Sequence, residues 1–115
     1  ARVPAPIANS APVEAARAQL HLAQQAAQAG PLADLEAKVT ADPADHQARF
    51  DYATALHAGG RVEEAVDQLL ELFRRDREWE EEKARKQLLK FFEALGPSDP
   101  ATIAGRRQLS GLLFS

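Results

Sequence analysis

A chain of 115 residues with 45% hydrophobic content and a formal net charge of −3 is one domain, large enough for a core but too small for two independent ones. Charges of both signs are mixed along it, which argues against nucleic acid as the main partner, and no apolar run approaches the roughly 20 residues of a bilayer span. There is no secretory pattern at the start, and the absence of cysteine removes disulfides, thiolate metal sites and thiol chemistry from this stretch. Methionine is also absent, even at position 1, so the chain is expected to be an excised piece of a longer soluble protein.

Residues Ala1 to Pro12 contain three prolines and no apolar period, the composition of a linker, so the folded domain is expected over residues 13–115. From Val13 to Ala29, Val13, Ala16, Leu20, Ala23 and Ala27 form the weak apolar face of a first helix. Gly30 ends it and Pro31 suits the first position of a second, short helix carrying Leu32, Leu35 and Val39. Asp42 and Pro43 read as N-cap and first position of a third helix, which stops at Gly59-Gly60. A fourth begins at Arg61-Val62 and places Val62, Ala65, Val66, Leu69, Leu70 and Phe73 on one face.

A fifth helix is predicted from about Asp76–Glu78 to Leu95, with Leu88, Phe91, Phe92 and Leu95 as its apolar face and Gly96-Pro97 as its stop. In that reading Glu80, Glu81 and Glu82 occupy the early turns, where the helix dipole favours them, and Glu81 pairs with Arg85. Asp99-Pro100-Ala101 repeats the earlier start signal and opens a sixth helix that runs to about Phe114. Nothing reads as a strand, so the fold class is all-α.

Candidate chemistry is sparse. His21, His46 and His57 have no metal-binding spacing, and His21 and His57 read as surface or groove residues. The carboxylates sit at helix starts or beside cations, and Gly59-Gly60 lacks the strand and Lys-Ser or Lys-Thr of a phosphate loop. No nucleophile, base and oxyanion donor can be assembled, so the chain is expected to be neither an enzyme nor a cofactor or metal carrier.

Asp42 to Asp76 forms a complete helix-turn-helix unit of the tetratricopeptide type, a pattern with a period of about 34 residues. Ala53 and Ala65 fall where its two helices must touch closely, with Tyr52, Leu56, Leu69 and Leu72 around them. It departs from the pattern at Arg49, where Trp is preferred, and at Arg77, where Pro is preferred. The first two helices resemble a shortened copy, four residues and therefore about one turn shorter in the second helix. The expected architecture is a set of antiparallel helix hairpins ended by a closing helix. That helix, with Arg106, Arg107, Leu109, Leu112, Leu113 and Phe114, reads either as a cap sealing the repeats or as a docking helix. The two roles are compatible if Ile103 and Leu109 pack inward while Leu112 to Phe114 stay partly exposed.

The segments at 43–51, 60–65, 69–70, 74–76, 84–86, 95–96 and Arg106-Arg107-Gln108-Leu109 resemble the C-terminal helical domain of chaperedoxins. These are YbbN/CnoX-like bacterial proteins that join a thioredoxin fold to tetratricopeptide-like repeats. The resemblance covers about Leu32 to the end, and the thioredoxin half, with any active-site cysteine, is not in this chain. It implies a cytoplasmic co-chaperone or holdase with unfolded protein clients, whose closing helix docks on a GroEL-type chaperonin. By position, that docking role falls on Arg106, Arg107, Leu109, Leu112, Leu113 and Phe114. The alternative is a structural module that dimerises or braces the missing domain, and homo-oligomerisation stays open.

Overall fold

A computed structural model describes residues 5–114, with side chains from Val13 onward. Six helices follow one another: α1 (Ala5–Ala29), α2 (Leu32–Ala41), α3 (His46–Ala58), α4 (Val62–Arg75), α5 (Lys83–Leu95) and α6 (Pro100–Leu113), with no strand among the described residues. The all-α class and the hairpin architecture are therefore as the sequence predicts. Helix α4 has 14 residues and α2 has 10, the missing turn anticipated from the repeat spacing.

The third and fourth helices pack against each other more extensively than any other pair. Ala53, Leu56, Ala65, Leu69 and Leu72 between them are fully buried, with Tyr52 nearly so, as expected for the close contact of a repeat. Small residues at this crossing let the backbones approach, and the leucines fill the space on either side. Gly59 caps α3, and Gly60 takes φ 86°, a left-handed conformation that glycine adopts without the steric penalty of a Cβ. Arg49 replaces the expected aromatic with hydrogen bonds. Its Nη1 donates to Gln68 Oε1 at 2.6 Å and its Nη2 to the Pro43 carbonyl at 3.1 Å, so the guanidinium ties α3 to α4 and to the preceding loop.

Four boundaries differ from expectation. Helix α1 starts at Ala5 rather than Val13. Alanine-rich sequence favours helix, and Pro6 stands in the first turn, where its missing N–H has no intrahelical partner to lose. Pro31 is the N-cap of α2, extended at ψ 140°, and not its first helical residue. Asp42 closes α2 and accepts from the Ala44 N–H at 3.1 Å in a short turn, whereas Asp45 is the N-cap of α3, accepting from the Ala48 N–H at 3.0 Å. Either aspartate can satisfy free N–H groups, and the one nearer the helix does so.

The largest correction is α5, which starts at Lys83. Asp76 caps the end of α4, and the following turns put Glu80, Glu81 and Glu82 at φ 49°, 59° and 64°. Left-handed backbone costs an L residue roughly 1–2 kcal/mol. The compensation is Trp79, tilted against Phe50 at 5.8 Å and edge-on to His46 at 6.1 Å, with Lys83 Nζ 4.6 Å from the Phe50 ring centre. These ring contacts offset part of that cost and oppose the local helix preference of the glutamates. Arg85 consequently pairs with Glu82, at 2.8 Å, instead of Glu81.

Helix α1 also departs from the expected hairpin with α2. Its extensive contacts are with α3 and α5, the first helices of the two hairpins α3–α4 and α5–α6. Ala18 and Leu22 enter the core there. Gln19 Nε2 donates to the Ala94 carbonyl at 3.0 Å, and Gln87 Nε2 donates both to Gln25 Oε1 at 2.9 Å and to Thr54 Oγ1 at 3.0 Å. Those amides satisfy polar groups that the packing takes out of water.

Candidate protein-docking surface

Helix α6 is anchored at its start by Asp99, whose carboxylate accepts from the Ala101 N–H at 2.9 Å. It lies against α4 and α5, burying Ala101, Thr102, Gly105 and Leu109, which fall on one side at helical spacing. Gly105 sets the depth of this seat. A Cβ there would stand 2.6 Å from Phe92 Cε1, 2.8 Å from its Cζ and 3.2 Å from Val66 Cγ1. The sixth helix, the second of the α5–α6 hairpin, thus also covers α4 and closes the stack, one of the two roles its sequence allows.

The candidate docking residues divide between its faces. Leu109 is a core residue, 5% exposed, and does not reach a partner while α6 is seated. Leu112 is partly buried against the core, and its carbonyl accepts from Arg77 Nη2 at 2.6 Å. Arg106 is exposed but lies 5.9 Å over the Phe92 ring, and Arg107 is exposed on the outer side. Leu113 is 38% exposed and Phe114 84%. Ile103, expected to pack inward, is instead half exposed. The helical period explains it: 103, 107, 110 and 114 share one face, opposite 105 and 109. The accessible stripe is therefore Ile103, Arg107, Ser110 and Phe114, with Leu113 beside it.

Three residues with structural bearing on this surface were not singled out for it from sequence. Gly105 carries the signal of a glycine inside a helical pattern, which marks a close approach. Arg77 was noted only as a departure from the repeat. Its guanidinium stacks 5.0 Å over Phe73 and reaches the last turn of α6, where a cation faces the negative end of the helix dipole. Trp79, the only tryptophan, sets the turn from which α5 departs. Between α1, α5 and Arg106 of α6, an open groove of about 690 Å³ is lined by Leu89, Phe92 and Pro97 together with charges of both signs, Glu14 and Glu93 as well as Lys86, Lys90 and Arg106. Desolvation lowers the Lys90 pKa from its ordinary value, partly opposed by Glu93.

Among the histidines, His21 is exposed, while His46 and His57 are half-buried. His57 stacks on Phe91 at 4.5 Å, and burial pushes its pKa down. No group of three or more His, Asp or Glu able to hold a metal occurs among the described residues. No described helix is long and apolar enough to cross a membrane.

Stacked antiparallel hairpins closed by a capping helix define a helical-repeat scaffold, a class that typically binds proteins and does not catalyse reactions. The chain belongs to the tetratricopeptide repeat family, whose profile matches residues 25–114. It is 33% identical over 98 residues to an uncharacterized protein of Haemophilus influenzae, covering 85% of this chain and 45% of that protein. It is 34% identical over 70 residues to uncharacterized proteins of Mycobacterium bovis and Mycobacterium tuberculosis, covering 61% of this chain and 23% of each of those. The chain thus spans less than half the length of these curated relatives. No solved structure matches it significantly.

Proposed function

We propose that this chain is the protein-binding module of a cytoplasmic, thioredoxin-linked co-chaperone, and that it docks on a GroEL-type chaperonin through the outer face of α6. The supporting observation is the end of that helix, where Phe114 is 84% exposed beside Leu113 while Gly105 and Leu109 hold the opposite side in the core. An aromatic anchor flanked by arginine is the composition that dominates small interfaces, where a few residues carry most of the energy. Arg107 contributes from the same stripe, Arg106 from its edge, and Leu109 and Leu112 act by seating the helix. Unfolded clients are the second partner class, and residues before Val13 lead from the other domain. The chain's limited span of its relatives supports a larger parent protein.

The direct test is a titration of the purified chain against a purified GroEL-type chaperonin, with light scattering of an aggregating client run in parallel. Saturable binding and reduced scattering are expected. A chain that binds no chaperonin at high concentration and leaves aggregation unchanged returns the assignment to the bracing module.

A further inference from the structure

We propose that residues 79–83 form a two-state latch: a left-handed turn holds Trp79 over Phe50 in the closed form, and in the open form the same residues join α5 as a right-handed turn and release Trp79. The closed form is the one in the structure. Glu80, Glu81 and Glu82 have φ 49°, 59° and 64°, and across them the Lys83 N–H donates to the Trp79 carbonyl at 3.1 Å. That is one turn of left-handed α-helix. L residues take this conformation singly rather than in succession, because each brings its Cβ against the following carbonyl, and none of these three is the glycine, asparagine or aspartate that tolerates it.

Three features make the right-handed turn its competitor. The turn of opposite hand closes the same hydrogen bond from Lys83 to Trp79, and it brings the Ala84 and Arg85 N–H groups to the carbonyls of Glu80 and Glu81. Glutamate is a good helix former, and a right-handed turn sets Glu81 four residues before Arg85 and Glu82 four before Lys86. The repeat also calls for it: α3 starts at His46, so a period of about 34 residues starts the next first helix near residue 80, whereas α5 starts at Lys83. The residues by which α5 is late are the left-handed ones. Against opening stand the bond from the Glu81 N–H to the Glu78 carbonyl at 3.1 Å and the ring of Trp79, 5.8 Å from Phe50 and 5.7 Å from Lys83 Nζ. Phe50, 4% exposed, and Lys83 also line a pocket of about 240 Å³ with Gln25, Gln47 and Thr54. Release of Trp79 uncovers Phe50 at the edge of that pocket, and a partner that contacts the freed rings shifts the population to the open form.

Trp79 is the only tryptophan, so its fluorescence reports the latch alone. Two variants of the full chain bias it in opposite directions: Glu80→Ala, Glu81→Ala and Glu82→Ala together favour the right-handed turn, and Glu80→Gly, Glu81→Gly and Glu82→Gly together relieve the left-handed one. Acrylamide quenching of Trp79 should be about threefold or more stronger in the alanine variant than in the glycine variant, with red-shifted emission. Amide-to-Hα couplings at 80–82 should report negative φ in the first and positive φ in the second. Equal quenching in two variants that melt cooperatively overturns the proposal. In the unaltered chain, NMR relaxation dispersion is expected at the amides of residues 79–85. A flat profile there also overturns it, and this measurement decides the matter if a variant does not fold.

Discussion

Gly105 and Gly111 lie in the same helix, yet alanine at the two positions should change stability in opposite directions. At Gly105 the new methyl carbon would begin 2.6 Å and 2.8 Å from two atoms of the Phe92 ring, with Val66 at 3.2 Å on another side. Carbon atoms prefer about 3.5–4.0 Å, so the ring must retreat by close to an ångström. Phe92 is 1% exposed, so it can do so only by displacing the core. Overpacking of this kind costs roughly 1–3 kcal/mol, against which alanine recovers about 1 kcal/mol of helix propensity. Gly105→Ala should therefore be destabilising by about 1 kcal/mol, or a fall of roughly 4–8 °C in melting temperature for a domain of this size. At Gly111 a Cβ meets nothing within 4 Å, so only the propensity gain remains and the melting temperature should rise. Circular dichroism at 222 nm during thermal unfolding measures both. Equal stabilisation by the two substitutions would refute the seating of α6 at Gly105.

Ala65→Leu forces extra methylenes into the fully buried α3–α4 contact and should cost about 1–3 kcal/mol; an unchanged melt would place Ala65 elsewhere. Arg77→Ala removes the hydrogen bond to the Leu112 carbonyl and the favourable charge at the end of α6. Faster hydrogen exchange in the last turn of α6, with little change in global stability, is expected; unchanged exchange there would mean that Arg77 does not hold that turn. For His57, whose folded pKa is lowered by burial, the unfolded chain binds its proton at the higher pH. Stability should be full above the ordinary value of about 6.5 and decline as pH falls towards the folded pKa. His57→Phe keeps a ring over Phe91 and should flatten that decline in denaturant titrations between pH 7 and 5; identical slopes would contradict it.

Much of the fold was legible because its signals are local. Glycines at 30, 60 and 96 end helices, Asp99 opens α6, and the α4 stripe from Val62 to Phe73 carries a plain helical period. Where two local solutions compete, sequence misleads. Asp42 and Asp45 are equally good caps, and only the chain path chooses Asp45. Glutamates 80–82 followed by Arg85 and Lys86 look like a helix start, but the chain makes left-handed turns there, beside the packing of Trp79 on Phe50, that local propensity opposes. At the candidate docking surface, the arginines and the apolar tip were readable as residue types. Which of Ile103 and Leu109 faces the core depends on the close crossing at Gly105, a tertiary event with only a weak trace in sequence. The position of α1 was least legible, because its alanine- and glutamine-rich faces differ little in polarity.

The central claim is that α6 has an inner side that seals the repeats and an outer side that recognises a partner. Chaperonin affinity and melting temperature measured together for Leu109→Ser and for Phe114→Ser test it most directly. The account predicts that Leu109→Ser, at a 5% exposed position, lowers the melting temperature, while Phe114→Ser, at an 84% exposed one, leaves it near wild type and weakens binding about tenfold or more. Unchanged affinity in Phe114→Ser, or a joint fall of affinity and stability in it, would contradict the division of the helix into a cap and a docking face.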